Sequence, residues 1–497
     1  MHLSDLIPDM KTKSNPLITG VSADSRKVKP GMIFVAIKGN HSDGHDYIDD
    51  AVNAGAAVII AEQAVKTDKA EVMITENARL ELTKLAAAWA GRQPGVIAAV
   101  TGTNGKTSVA DFLRQIWKHI GWQSASIGTL GIRGDGIEHV AELSHLTTPD
   151  PVSLHLNLNR LAAAGVSNIA IEASSHGIEQ DRLSGLKLVA AGFTNLSRDH
   201  LDHHQTMENY FKAKERLFTE LLPDGAIAVI NIDDEYGERL AATLSKRQIS
   251  VLGVGRDKAA TLRLDEIKHF DGGMSLIVDY NGDKTTIPLA MVGEFQAENA
   301  LVAAGLAFAS GASMKHALLA LPYIKPAPGR MQSVNGHPHG GRIVIDYAHT
   351  PDALKTALDS LRDEVSGRLG VVFGCGGDRD QGKRGEMGTI AHKHADFAII
   401  TDDNPRHEDP ADIRAAVLAT CPDAAEIGDR QKAIREGILK LEDGDVLLIA
   451  GKGHESNQLV GSETLPFSDE AVAAAVITSM GQATPQKPVS SRKEGRL

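Results

Sequence analysis

The residues Thr101-Gly-Thr-Asn-Gly-Lys-Thr107 have the types and spacing that chemistry on phosphates needs. Gly102 and Gly105 let backbone N–H groups turn inward toward an anion. Lys106 can reach β- and γ-phosphates, and Thr107 can offer its hydroxyl to Mg²⁺. The general form of such a loop, G-x-x-x-x-G-K-[ST], begins with glycine; this chain has Val100 there and so carries a variant. Three later segments hold further candidates. Glu172 opens Glu172-Ala-Ser-Ser-His176 at the end of an apolar run, where a carboxylate could hold Mg²⁺ beside Thr107. Asn195-Leu-Ser-Arg-Asp-His-Leu-Asp-His-His204 bundles His and Asp side chains; it reads either as metal or phosphate chemistry or as a polar loop with a hydrogen-bonded histidine. Lys214 lies in the helical run 210–218, and its spacing gives it no special role.

These residues must be positioned by strands and helices. Residues 96–100 are apolar and read as a buried parallel strand. Val109, Phe112, Leu113, Ile116 and Ile120 then fall on one helical face, so a helix N-terminus adds partial positive charge to the loop. Further strands are expected at 168–172, 188–194 and 226–230, separated by helical stretches, which implies a mostly parallel sheet. Residues 250–292 read as short strands around turns, and a helix opens at Gly293. Residues 1–88 form a smaller α/β layer, with a strand at 31–37, a helix at 51–57, a strand at 58–61, and Asp24-Ser-Arg26 ahead of the first strand. Pro322-Tyr-Ile-Lys-Pro-Ala-Pro-Gly-Arg330 is a natural linker. A third unit follows, with strands at 343–345, 369–373, 397–401 and 445–450. The expected fold class is α/β in three domains: a small N-terminal α/β domain (1–90), a central P-loop-type, mostly parallel sheet (91–328) and a C-terminal Rossmann-like α/β domain (329–480). A polar tail over 481–497 has little to bury and is expected to be disordered.

Bulk properties narrow the classes. A chain of 497 residues holds several domains. A net charge of −12 argues against a general nucleic-acid binder, so phosphate binding must be local. Two cysteines, Cys375 and Cys421, are too few for a disulfide framework and favour a reducing compartment. The N-terminus lacks a basic region followed by a long apolar stretch and is not expected to be a signal peptide, and no apolar run reaches membrane length. The expectation is a cytoplasmic monomer without nucleic-acid or membrane partners.

With these residues assembled, the chain resembles the Mur ligases of peptidoglycan synthesis, and within them the branch that adds diaminopimelate. The resemblance runs from Asp24-Ser-Arg26 to Gly451-Lys-Gly-His-Glu455. It rests on the glycine loop together with His145-Leu-Thr-Thr-Pro149, Glu172-Ala-Ser-Ser-His176, Asn195-Leu-Ser-Arg-Asp-His-Leu-Asp202, Asp346-Tyr-Ala-His-Thr-Pro351 and Asp403-Asn-Pro-Arg406. It implies ATP- and Mg²⁺-dependent amide formation through an acyl phosphate, in the synthesis of the precursor on which cell-wall growth, shape and division depend. The small-molecule partners would be ATP, a UDP-linked muramoyl dipeptide and meso-diaminopimelate.

The resemblance also assigns roles. Gly102, Thr103, Asn104, Gly105, Lys106, Thr107 and Ser108 would bind ATP, with Asn299, Arg330, Asp346 and His349. Lys106, Glu172, His200 and Lys214 would be catalytic. Metal ligands would be Thr107, Glu172, His200 and Lys214, the last as a carbamate. Ser25, the loop from His41 to His45, Thr147, Thr148, Ser174, Gln180 and Arg182 would hold the UDP substrate. Arg379, Asp403, Asn404, Arg406, Gly451 and Glu455 would hold diaminopimelate, with Arg406 gripping its distal carboxylate, since a guanidinium binds carboxylate bidentately. Cys375 is expected to be a packed small residue. Three alternatives stay open on the sequence: addition of L-lysine, folyl-polyglutamate synthesis, or a non-catalytic nucleotide-binding scaffold.

Overall fold

Short apolar runs linked by helices pair side by side as parallel strands, because such a connection must return along the face of its sheet. The computed structural model describes residues 1–8, 14–39, 42–137, 140, 146–270, 272–362 and 364–483, and three main sheets carry them. The first is four parallel strands in sequence order: β1 (Gly20–Ser22), β2 (Met32–Val35), β3 (Val58–Ala61) and β4 (Glu71–Ile74). Its centre is buried on both faces by Ile33, Phe34, Val35 and Val58 to Ile60. Asp24-Ser-Arg26 therefore follows the first strand rather than preceding it; a strand of three residues is too short to show a period. Asp24 caps the single turn Ser25–Lys27 by accepting the Arg26 N–H.

The central sheet has ten strands: β5 (Val96–Thr101), β6 (Ser124–Gly128), β7 (Gly131–Gly134), β8 (Asn168–Glu172), β9 (Leu188–Phe193), β10 (Ile227–Asn231), β11 (Ser250–Gly255), β12 (Leu262–Phe270), β13 (Gly273–Tyr280) and β14 (Asp283–Leu289). Their order is β14-β13-β12-β11-β10-β9-β5-β8-β6-β7. From β6 to β11 the neighbours are parallel; β12 to β14 form the expected β-rich excursion as an antiparallel extension. The chain leaves β5 for β6 and β8 on one side, then crosses to β9 on the other. A crevice opens outside the C-terminal strand ends where the winding reverses in this way. The helix Lys106–His119 starts there and buries Val109, Phe112, Leu113 and Ile116; Ile120 is its C-cap.

The third sheet holds β15 (Gln332–Val334), β16 (Arg342–Asp346), β17 (Leu369–Phe373), β18 (Phe397–Ile400), β19 (Ala425–Glu426) and β20 (Val446–Ala450) in the order β15-β16-β20-β17-β18-β19, all parallel except β15. A hairpin, β21 (Asn457–Val460) and β22 (Glu463–Pro466), follows. The helix Asp469–Ala483 runs past residue 480, so the expected tail starts later than 481. Ala473, Val476, Ile477 and Met480 repeat at helical spacing and pack on Ile434, Ile438 and Leu441. The rest of that tail, 484–497, lies outside the described residues. Contacts divide the chain into two compact units, Met1–Ala290 with Phe295–Lys325 and Met291–Glu294 with Pro326–Leu497, so one division falls inside the proline-rich linker. Among the described residues no helix is long and apolar enough to cross a membrane.

Candidate active site

Val100 is buried inside β5, level with Glu172 on β8, so the strand continues where the general motif has already turned. The turn begins at Gly102 (φ +151°) and ends at Gly105 (φ +85°), both in backbone territory that side chains disfavour. A Cβ on Gly102 would run into the Thr194 hydroxyl, and one on Gly105 into the Asn299 amide. This contact brings the predicted Asn299 onto the loop. The Thr103 and Asn104 N–H groups donate to the Asn195 carbonyl and side chain at 2.8 and 3.0 Å, and Thr194 Oγ1 donates to the Asn104 carbonyl. Asn195 and Thr194 thus brace the cradle, and donors for a phosphate come from the first turn of the helix that follows.

Glu172 ends β8 with its carboxylate buried. It accepts from Thr107 Oγ1 at 3.0 Å, and from the Thr129 N–H and hydroxyl at 2.8 and 3.1 Å. Two predicted metal ligands are therefore adjacent, and their hydroxyl and carboxylate oxygens are the hard donors that Mg²⁺ takes. From here a hydrogen-bonded chain runs through the expected UDP-substrate residues. Thr129 Oγ1 meets Thr147 Oγ1 at 3.1 Å, and Thr148 Oγ1 donates to the Glu172 carbonyl and lies 3.0 Å from Ser174 Oγ. Arg182 donates to the Thr148 carbonyl and to Gln180 Oε1, both at 2.7 Å. Ser25 sits in the N-terminal layer. His41 and His145 lie outside the described residues; the His45 backbone N–H at 3.0 Å, and then its ring at 2.6 Å, hold the Asp43 carboxyl below its usual range.

Lys214 is buried in the helix Met207–Arg216, with Nζ 2.7 Å from the Gly102 carbonyl and 4.5 Å from the centre of the Tyr210 ring. Burial, then the nearby Lys106 charge, pushes its ammonium well below the usual lysine value. Lys106 Nζ donates to the carbonyls of Gly102 and Thr103 at 3.0 and 2.7 Å. Sequence reading gave Lys214 no physical reason to matter, yet a signal existed. Tyr210, Phe211, Lys214, Leu217 and Phe218 share the spacing of one buried helical face, with a lysine inside it. Tyr210 was missed as well. Its hydroxyl is 3.3 Å from Thr103 Oγ1, and its ring is 6.2 Å from that of His200. His200 has φ +54° and also meets the His176 ring edge-on at 5.1 Å.

In the second unit, Arg330 lies over the Tyr347 ring at 4.4 Å, and the His349 ring packs against the same tyrosine. Asp346 is buried and accepts the N–H groups of Met331 and Ala348, each at 2.8 Å; burial raises its pKa. Two of the three predicted nucleotide contacts of this unit, Arg330 and His349, therefore flank Tyr347, the residue that follows the third, Asp346. The diaminopimelate candidates also converge. Asn404 Nδ2 donates to Glu455 Oε2 at 3.0 Å, and a Cβ on Gly451 would press on Asp403. Arg406 Nη1 donates to the Gly377 carbonyl at 2.7 Å, and both Arg406 and Arg379 lie against Gly376. Lys452, not foreseen, is fully buried and donates to Asn404 Oδ1 and Glu455 Oε2, each at 2.9 Å. Cys375 is buried, donates to the Met387 sulfur, and has its thiol pushed up to about 12 by burial, as suits a packed residue.

A glycine loop at the reversal point of an α/β sheet, with lysine, threonine and a strand-end carboxylate converging on it, defines a protein that handles nucleotide phosphates. The chain belongs to the Mur ligase family. Family models match in chain order: the Mur ligase family catalytic domain over residues 17–91, the Mur ligase middle domain over 100–307, and the Mur ligase glutamate ligase domain over 329–453. The UDP-N-acetylmuramoyl-L-alanyl-D-glutamate–2,6-diaminopimelate ligase of Mesorhizobium japonicum is 49% identical over 478 residues, 95% of this chain and 98% of the relative. A solved structure of a ligase of the same name superposes with a TM-score of 0.71 at 31% identity, covering 97% of this chain and 99% of that one. The MurF ligase of Thermotoga maritima in complex with ADP shares the fold alone, with a TM-score of 0.60 at 19% identity, covering 93% of this chain and 96% of that one.

Proposed function

We propose that this chain joins meso-2,6-diaminopimelate to UDP-N-acetylmuramoyl-L-alanyl-D-glutamate, using ATP and releasing ADP and phosphate, in peptidoglycan precursor synthesis. The γ-carboxylate of the D-Glu residue takes the terminal phosphoryl group of ATP, the amine of diaminopimelate attacks the acyl phosphate, and phosphate leaves as the amide forms. Two anionic reactants must be held together, so positioning and charge neutralisation dominate. Gly102 to Ser108 would cradle the ATP phosphates, and Asn299, Arg330, Asp346 and His349 would contact the nucleotide. Thr107, Glu172, His200 and carbamylated Lys214 would hold Mg²⁺, which supplies charge neutralisation when bound. Ser25, Thr147, Thr148, Ser174, Gln180 and Arg182 would bind the UDP substrate. Arg379, Asp403, Asn404, Arg406, Gly451 and Glu455 would bind diaminopimelate.

The observation that carries the reading is the hydrogen bond between Thr107 and Glu172. It unites the first hydroxyl of the loop helix with a buried strand-end carboxylate at the sheet's reversal point. The 49% identity to diaminopimelate ligases supports the choice of amino acid. We further read the domains as 1–90, 91–328 and 329–480, and the protein as a cytoplasmic monomer; two buried, unpaired thiols suit a reducing compartment. The test is phosphate release from ATP with the UDP-muramoyl dipeptide, adding meso-diaminopimelate in one sample and L-lysine in another. Release with diaminopimelate alone is expected. Release with lysine alone would overturn the specificity, and no release in either would overturn the reaction.

A further inference from the structure

Four histidines and a glutamate crowd two one-turn helices, Ser175–Glu179 and Leu201–His204. Glu179 Oε2 is 2.7 Å from His203 Nε2 and 3.9 Å from His204 Nδ1, and one donor atom from each of the three side chains lies within 4.8 Å of the others. Donors around a tetrahedral ion with bonds of about 2.0–2.1 Å stand roughly 3.3–3.4 Å apart, so small side-chain rotations close this triad on a metal. His204 Nε2 is 2.9 Å from Ser175 Oγ. In the tautomer with the proton on Nε2, that nitrogen donates to the serine, and the Nδ1 lone pair faces Glu179; such an outer hydrogen bond is what orients a ligating imidazole. The His204 side chain is 1% exposed, that of His203 29% and that of Glu179 45%. The triad thus has a buried floor and an open mouth through which an ion can enter and a water can complete the shell. The His176 ring closes one wall, 4.2 Å from that of His203.

We propose that Glu179, His203 and His204 bind a first-row transition-metal ion such as Zn²⁺, at a site distinct from the Mg²⁺ ligands named above. Two imidazoles and one carboxylate are the donor set that favours zinc over magnesium. The bound ion would clamp the two one-turn helices together.

The test is titration of the untagged, chelator-stripped full chain with Zn²⁺ against a chromophoric competitor, with Mg²⁺ in large excess throughout. Co²⁺ is titrated in parallel for its visible absorption. One equivalent of Zn²⁺ is expected for the unaltered protein. Glu179→Gln and His203→Asn should each weaken binding about tenfold or more and abolish the Co²⁺ band. Both side chains are partly exposed, and circular dichroism of the same samples confirms that the variants fold. Absence of a stoichiometric Zn²⁺ site, displacement of Zn²⁺ by Mg²⁺, or unchanged affinity in both folded variants would overturn the proposal.

Discussion

Lys106 and Lys214 donate to the same acceptor, the carbonyl oxygen of Gly102, at 3.0 and 2.7 Å. Two ammonium groups converging on one oxygen repel each other, and Lys214 is the buried partner whose pKa falls. A neutral amine is nucleophilic toward CO₂, and the carbamate it forms is an anion, which turns the repulsion from Lys106 into attraction. Incubation with ¹³C-bicarbonate should therefore give one carbamate resonance that is absent in Lys214→Ala. The same variant should lose about 10²–10³-fold in kcat, the scale for removing one preorganised electrostatic group. A spectrum unchanged by the substitution would place any carbamate elsewhere.

The unmodified lysine also costs stability. Its pKa is lowered in the folded protein and ordinary in the unfolded chain, so the unfolded chain binds more protons between the two values and stability rises with pH across that window. At neutral pH, in CO₂-free buffer, Lys214→Met should raise the melting temperature by several degrees while phosphate release is lost. A lower melting temperature would mean that the amine is well accommodated as it stands.

Glu172 depends on Gly128 for its room. A Cβ on Gly128 would overlap the Glu172 carboxylate, so the glycine at the end of β6 sets how the acid approaches Thr107. Gly128→Ala should raise the Mg²⁺ concentration needed for half-maximal phosphate release and lower kcat, about tenfold each. Glu172→Gln keeps the shape without the charge and should cost about 10²–10³-fold in kcat. Titration of rate against Mg²⁺ checks both; full activity in Gly128→Ala would show that the carboxylate's position is not critical.

The strand, loop and helix over 96–119 were legible in the sequence because a period of apolar residues and two glycines specify them locally. Glu172 was legible because it ends an apolar run. Strand β1 and the two-residue β19 were not, since so few residues show no period. Nor were Thr129 and Lys452, whose importance comes from Glu172 and Asn404, partners far along the chain. Lys214 falls between these cases: its stripe of neighbours was visible, but a lysine among them reads as solvated until the packing is seen.

Arg406 and Lys452 divide the labour of the proposed amino-acid site. Arg406, at φ +51°, is fixed through its backbone to Leu459 and Gly461 and through Nη1 to Gly377. Lys452 fixes Asn404 and Glu455 together. Arg406→Ala should raise KM for diaminopimelate about 10²-fold, the loss of a bidentate carboxylate contact, with ATP binding intact. Lys452→Met should raise the same KM and also lower the melting temperature, because it removes the buried ammonium that donates to both Asn404 Oδ1 and Glu455 Oε2. Unaltered diaminopimelate kinetics in Arg406→Ala would remove the arginine from the site.

His155 provides a pH dependence independent of catalysis. It lies on the helix Pro151–Ala163, buried against Gly185 with neither ring nitrogen hydrogen-bonded among the described residues, and burial lowers its pKa to about 4. An unfolded histidine titrates near 6.5, so between 6.5 and about 4 the unfolded chain binds the extra proton and stability falls as the pH falls. The loss through this window is about 3 kcal/mol at most, reached when the pH passes below both values. His155→Leu has no proton to bind, so its melting temperature should decline less between pH 6.5 and 4.5 than that of the unaltered protein. Parallel melting curves across that range decide it, and identical declines would assign the acid sensitivity to other groups.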